Sequence, residues 1–193
     1  MNIGIDIDGV LTNDDQYTLE YMAKYAYLNK KYEVNDFNNF EFNKMFWDKE
    51  TIRNYRESEY FDNYFKNERP RHFASEVIKI LKERNNNIYI ITSRYRTTEF
   101  SPRGKEIRDL TIKWLNENKI VYDKIIFSND KTKEIKKYKL DIIIEDSPET
   151  VPTFSKYTKV FLFDARYNKN INGKNITRVY SWYDILKNIE EVV

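Results

Sequence analysis

The chain has 193 residues, 40% hydrophobic and 33% charged, and its 33 Lys+Arg against 31 Asp+Glu give a formal net charge of +2. That length fits one domain with room for an insertion, and the charge balance leaves little positive field for nucleic acid or an anionic membrane. Cysteine is absent and His72 is the single histidine, which excludes disulfides, thiol catalysis and cysteine or multi-histidine metal sites and disfavours a Ser-His-Asp triad.

The chain opens Met1-Asn2-Ile3-Gly4-Ile5-Asp6-Ile7-Asp8-Gly9-Val10. Ile3, Ile5 and Ile7 alternate with Gly4, Asp6 and Asp8, and a period of two predicts a strand. The opening has no basic n-region or long apolar core, so it does not read as a leader. No apolar run approaches the roughly 18 residues of a membrane span, and a cytoplasmic protein is expected. Residues 15–70 break the rhythm. They show helix-like patterning without a clear strand and hold 15 of the chain's 31 aromatics. They predict an inserted helical cap subdomain, with 1–14 and 71–193 as the core domain.

Four further strands are predicted at Ile88–Thr92, Lys124–Phe127, Asp141–Ile144 and Lys159–Phe163, each short and rich in Ile, Val or Phe. Helical periods separate them. Phe73, Val77, Ile80 and Leu81 share one face, as do Ile107, Leu110, Trp114 and Leu115. Lys131–Lys139 is a short charged helix, and Trp182, Ile185, Leu186 and Ile189 line a C-terminal one. Strands alternating with helices predict an α/β fold with a doubly wound, mainly parallel sheet.

The strand ends carry the chemistry. Asp6-Ile7-Asp8-Gly9-Val10-Leu11-Thr12 closes the first strand. A period of two sends both carboxylates to one side, Gly9 permits a sharp turn, and ligands of an open parallel sheet bind off its carboxyl ends. Two carboxylates there suit Mg²⁺, a hard cation with oxygen ligands, or a nucleophile beside an acid/base. The second strand ends in Thr92-Ser93-Arg94, the third leads to Lys131, and the fourth ends in Glu145-Asp146-Ser147-Pro148. Singly, these are a helix cap, a surface lysine and a cap for a helix at Pro148. Together they place two acidic pairs, a hydroxyl and an ammonium at one sheet edge, which favours function.

With these motifs the sequence resembles the haloacid-dehalogenase (HAD) superfamily of Mg²⁺-dependent phosphohydrolases, with a Rossmann-like core. Within it, the sequence is most similar to the 5′(3′)-deoxyribonucleotidases. That finer likeness rests on Asp130-Lys131-Thr132, on Phe46-Trp47, and on Arg178-Val179-Tyr180-Ser181-Trp182 opening the last helix. The resemblance implies that Asp6 attacks phosphorus and becomes an aspartyl-phosphate, and that Asp8 protonates the leaving oxygen and later deprotonates water. It implies Mg²⁺ between the Asp6 carboxylate, the Asp8 carbonyl and Asp146, with Glu145 holding a metal-bound water. Thr92 and Lys131, with backbone N–H groups near Gly9 and Ser93, would bind the phosphoryl oxygens. A nucleoside monophosphate is the implied substrate, hydrolysed by a 5′-nucleotidase. The physics agrees: phosphoryl transfer needs positioning and charge neutralisation, and Lys131 and Mg²⁺ offset the repulsion between carboxylate and phosphate.

Selectivity is expected from the cap. Tyr17, Tyr21, Tyr25, Phe42, Phe46, Trp47 and Tyr55 supply rings for stacking a base or for filling the cap's own core, with Phe46 and Trp47 the favoured contacts. The family's aromatic residue after the first motif is Asp14 here, and Arg94, Tyr95 and Arg96 follow the second motif. Arg94 or Arg96 suits a second anionic group on the substrate, with a solvated loop as the alternative. Two other readings are a phosphatase of sugar phosphates or other small phosphoesters, and a phospho-Asp receiver-like signalling module. A first-strand Asp-x-Asp and a large cap disfavour the receiver.

Overall fold

In the computed structural model, which describes residues 1–29 and 49–191, a run of short parallel strands forms one sheet. They are β1 (Asn2–Ile5), β2 (Asn87–Thr92), β3 (Lys124–Phe127), β4 (Ile142–Glu145), β5 (Lys159–Phe163) and β6 (Ile176–Val179), in the order β3-β2-β1-β4-β5-β6. Ile3 pairs with Ile88 on one side and Ile142 on the other, so β1 is central. The order reverses between β1 and β4, and an α/β sheet opens its ligand crevice at such a switch point.

Alternation sets the two layers of the core. Ile142 and Ile144 pack with Ile3, Ile5, Ile88 and Ile90 beneath α4 (Ala74–Glu83), α5 (Pro102–Glu117) and α8 (Trp182–Glu190). Ile143 turns the other way, joining Ile91, Val160 and Leu162 beneath α6 (Lys131–Tyr138) and α7 (Val151–Phe154). Gly4 lies between strands where space is short: a Cβ there would stand 2.7 Å from Leu140 Cδ1.

Three local expectations are corrected. Arg178 and Val179 do not open the last helix; they end the edge strand β6, and the Ser181 hydroxyl caps α8 by accepting from Asp184 N at 3.2 Å. Phe73 does not join the buried face of α4. Its φ of 65° places it ahead of the first helical residue and it is 56% exposed, while Ala74 and Ile78 take the buried positions. The helix expected from Pro148 begins at Val151.

The chain forms two compact units, Met1–Asn13 with Arg69–Val193, and Asp14–Glu68. The second unit contains α1 (Asp14–Leu28), α2 (Lys49–Arg56) and α3 (Glu59–Asn67). Its core is Met22, Ala26, Ile52 and Tyr55, with Phe61 packed against them. Tyr17 stacks on Tyr21 at 4.0 Å, and Tyr25 meets Tyr55 edge-on at 5.5 Å. Among the described residues no helix is long and apolar enough to cross a membrane.

Candidate active site

The site begins where β1 stops. The Ile7 carbonyl accepts from the N–H groups of Val10, Leu11 and Thr12 at 2.9–3.2 Å, which folds the chain back on itself directly after Asp6. Gly9 makes the fold possible, with φ of 78° and no room for a side chain: a Cβ would stand 1.9 Å from Asp146 Oδ2. Arg71 holds this turn from outside, donating from Nη2 to the Gly9 carbonyl at 3.0 Å and from Nε to the Thr12 carbonyl at 3.1 Å. Its guanidinium also lies 4.3 Å from the Phe163 ring centre.

Lys131 comes from the first residue of α6, which Asp130 caps by accepting from Lys133 N at 2.9 Å. Its Nζ stands 2.9 Å from Asp6 Oδ1 and 2.7 Å from Glu145 Oε2, with all three residues buried. Glu145 closes β4 and its Oε1 accepts from the Asp146 and Ser147 N–H groups at 3.1 and 3.3 Å. Asp146 follows. Its carboxylate accepts from the Tyr167 hydroxyl, and its carbonyl accepts from Asn168 Nδ2 at 2.7 Å. Thr92, at the tip of β2, is buried and accepts from Arg94 N at 3.1 Å, which leaves its own hydroxyl hydrogen to donate.

Oxygens of Asp6, Glu145 and Asp146 lie within 4.8 Å of one another. Burial, reinforced by Glu145 and offset by Lys131, pushes Asp6 up to about 8. Burial, then Glu145 and Asp6, raises Asp146 well above the usual carboxylate range. Burial also works against Glu145, but Lys131 and the N–H of Asp146 outweigh it and hold its carboxyl low. Three buried carboxylates thus cluster beside one ammonium, which pairs with Asp6 and Glu145, an unfavourable arrangement unless protons or a further cation join it. An all-oxygen donor set of this charge fits Mg²⁺.

Asp6, Thr92, Lys131, Glu145 and Asp146 are therefore all buried residues, and the ion pairs and clustered oxygens join four of them directly. Asp8 is 29% exposed at its side chain and pairs with Arg94. Ser93 is exposed. Phe42, Phe46 and Trp47 lie outside the described residues. Tyr17 and Tyr55 are buried within the helical unit.

Sequence reading gave no role to Arg71, Tyr167 or Asn168, because each acts across a long loop or through a backbone atom. Asn168 is fully buried and ties three elements: its Nδ2 donates to the carbonyls of Asp146 and Phe163, and its Oδ1 accepts from Arg178 Nη1 at 2.8 Å. Arg178 also reaches Asp164 and the Ile171 carbonyl. The only signal in the sequence was the likeness around Arg178.

Compared with known families, residues 1–193 match the family described as 5′ nucleotidase, deoxy (Pyrimidine), cytosolic type C protein. The chain belongs to this family. The family is a branch of the HAD phosphohydrolases, so phosphatase is the coarse assignment of activity. No curated protein matches the chain. Among solved structures, a predicted phosphatase from Clostridium acetobutylicum superposes with a TM-score of 0.64 and 18% identity, covering 98% of each chain. A HAD hydrolase, family IA, variant 3, from Entamoeba histolytica has a TM-score of 0.57 and 18% identity over 98% of this chain and 99% of its own. D,D-heptose 1,7-bisphosphate phosphatase from B. bronchiseptica, complexed with magnesium and phosphate, has a TM-score of 0.57 and 11% identity over 100% and 99%. At these identities the likeness is one of fold.

Proposed function

We propose that this chain is a Mg²⁺-dependent phosphomonoesterase that hydrolyses nucleoside monophosphates through an aspartyl-phosphate on Asp6. The observation that carries the reading is Lys131 Nζ seated between Asp6 and Glu145 at 2.9 and 2.7 Å, beside Asp146. Mg²⁺, held by Asp6, the Asp8 carbonyl and Asp146, would supply the missing positive charge and polarise the phosphoryl oxygens. Glu145, with its oxygens already on Lys131 and two N–H groups, fixes the lysine and the Asp146 loop.

The chain's own groups then divide the work. Thr92 and Lys131 orient the phosphoryl group so that Asp6 lies in line with the scissile bond. An Asp6 oxygen bonds to phosphorus as the phosphorus–leaving-oxygen bond breaks, and Asp8 gives that oxygen its proton. Water then attacks phosphorus, Asp8 takes the water's proton, and the Asp6 carboxylate departs. Residues 15–70, read as a cap, would select the alcohol portion. The family match favours a nucleotide; the fold shared with a heptose bisphosphate phosphatase keeps a sugar phosphate as second reading.

The test is phosphate release with and without Mg²⁺ across ribo- and deoxynucleoside monophosphates, sugar phosphates and one aryl phosphate. Metal-dependent release concentrated on nucleotides is expected. Asp6→Asn should fold and lose all measurable turnover, and substantial residual activity in that variant would sink the covalent route. Release confined to sugar phosphates would keep the chemistry and discard the substrate.

A further inference from the structure

Arg94 stands two residues beyond the Thr92 hydroxyl, where an exposed arginine would suit a second anion on the substrate. The structure puts it elsewhere. Its side chain is 0% exposed, Nε donates to Asp8 Oδ1 at 2.8 Å, and Nη2 lies 2.8 Å from the same oxygen. Its guanidinium carbon lies 5.8 Å from the Trp114 ring centre. The backbone on either side is fixed as well: Arg94 N donates to Thr92 Oγ1 at 3.1 Å, and its carbonyl accepts from Thr97 N at 2.9 Å. A guanidinium withdrawn from water needs an acceptor in contact, and Asp8 Oδ1 is one at 2.8 Å.

We propose that Arg94 is the positioning residue for Asp8. This rests on the reading of Asp8 as acid and base. Arginine only donates, so Asp8 Oδ1 meets it as an acceptor. The exchange with substrate is assigned to Oδ2, the oxygen this contact does not use. With Oδ1 pinned, the carboxyl cannot rotate freely, and Oδ2 keeps a fixed direction. In the first displacement Oδ2 releases its proton to the leaving oxygen as the Asp6–phosphorus bond forms. In the second it accepts a proton from the attacking water as that bond breaks. One arginine thus couples the tips of β1 and β2 and sets which face of Asp8 does chemistry.

The consequence is a dependence on leaving group. A p-nitrophenolate departs with little help from an acid, whereas the alkoxide of a nucleoside 5′-monophosphate needs a proton. General-acid assistance is worth about 10²–10⁴-fold. The experiment is single-turnover release of p-nitrophenol and of nucleoside in Mg²⁺ by the wild type, Arg94→Met, Arg94→Lys, Asp8→Asn and the Asp8→Asn/Arg94→Met double variant. Arg94→Met is expected to slow nucleoside release by about 10²-fold and p-nitrophenol release by less than about 10-fold, with KM little changed. Arg94→Lys, which keeps one donor, should recover part of the nucleoside rate and carries the comparison if the methionine variant does not fold. The double variant should be no slower than Asp8→Asn alone.

Equal losses on both substrates, or a loss confined to KM, would overturn the proposal and return Arg94 to phosphate binding or packing. If Asp8→Asn itself treats the two leaving groups alike, the acid/base reading of Asp8 fails and takes the proposal with it. That outcome is separate from failure of the Arg94 variants alone.

Discussion

The two units bury different things. At the carboxyl edge of the sheet, four ionisable side chains, Asp6, Lys131, Glu145 and Asp146, are withdrawn from water within one cluster. In the helical unit the buried side chains are mostly tyrosine, phenylalanine and aliphatic groups, ring against ring. Burying like charges is unfavourable and is retained where chemistry needs them, whereas burying rings is how a small helical unit holds itself together. On the proposed reading, the contrast separates a region organised for reaction from one organised first for its own stability, and it is open to direct attack by substitution.

Short of removing Asp6 itself, the largest effect should come from Gly9→Ala. The new Cβ would stand 1.9 Å from Asp146 Oδ2 on a residue whose φ is 78°. Asp146 must move by more than an ångström, and displacements of that size cost about 10²-fold in rate or more. Turnover should fall by at least that factor and Mg²⁺ binding by calorimetry should weaken, while the circular dichroism spectrum persists. Wild-type turnover in this variant would show that the acidic cluster is not where reaction occurs.

Next comes Asn168→Ala. It strips partners from the Asp146 and Phe163 carbonyls and from Arg178 in a fully buried place. Unsatisfied buried groups cost about 1–3 kcal/mol each, and partial relaxation suggests a total of about 2 kcal/mol. Urea denaturation should report that loss, and half-maximal turnover should need more Mg²⁺. An unchanged midpoint would mean that the loop holds Asp146 without its asparagine.

A third substitution sharpens the contrast from the other side. Tyr55 is 3% exposed, meets Tyr25 and Phe61, and belongs to the core of the helical unit. Tyr55→Leu removes ring contacts worth about 1–2 kcal/mol. Proteolysis of residues 14–68 should quicken, while hydrolysis of a small aryl phosphate at low temperature stays near the wild-type rate. A matching collapse in aryl phosphate turnover would show that the two units are not energetically separate.

Legibility in the sequence follows the same division. β1 to β5 were plain because alternation and short β-branched runs are local signals, and Asp6, Thr92, Lys131 and Glu145-Asp146 lie within four residues of the ends of β1 to β4. β6 was not plain. Ile176, Thr177 and Val179 form only a brief edge run, and the family likeness from Arg178 to Trp182 points to a helix start instead. Arg94 was read as a solvent or substrate contact because nothing in Thr92-Ser93-Arg94 says that Asp8, 86 positions away, stands at bonding distance. Asn168 was missed because it works through the carbonyls of Asp146 and Phe163 and an arginine from β6. Side-chain type near a strand end is visible in one dimension, and a partner reached across the sheet is not.

The smallest predicted effect lies at the opposite edge of the sheet, far from any chemistry. Asp123 accepts from Lys82 Nζ at 2.7 and 2.8 Å and from Ile88 N at 2.6 Å. Partial burial works against its charge, but the ammonium and the N–H outweigh it and lower its pKa. A carboxyl lowered by folding contributes stability that is present above its unfolded value and lost as pH falls through the folded one. The side chain is 39% exposed, so solvent screening holds the contribution to below about 1 kcal/mol. Asp123→Asn should therefore melt slightly below the wild type at pH 7. The gap should close as pH falls below the usual carboxylate range, and 1 M salt should narrow it at neutral pH. A gap that persists unchanged into acid would mean that the hydrogen bond to Ile88 N, which an asparagine oxygen can also accept, is distorted by the amide and that the charge contributes nothing.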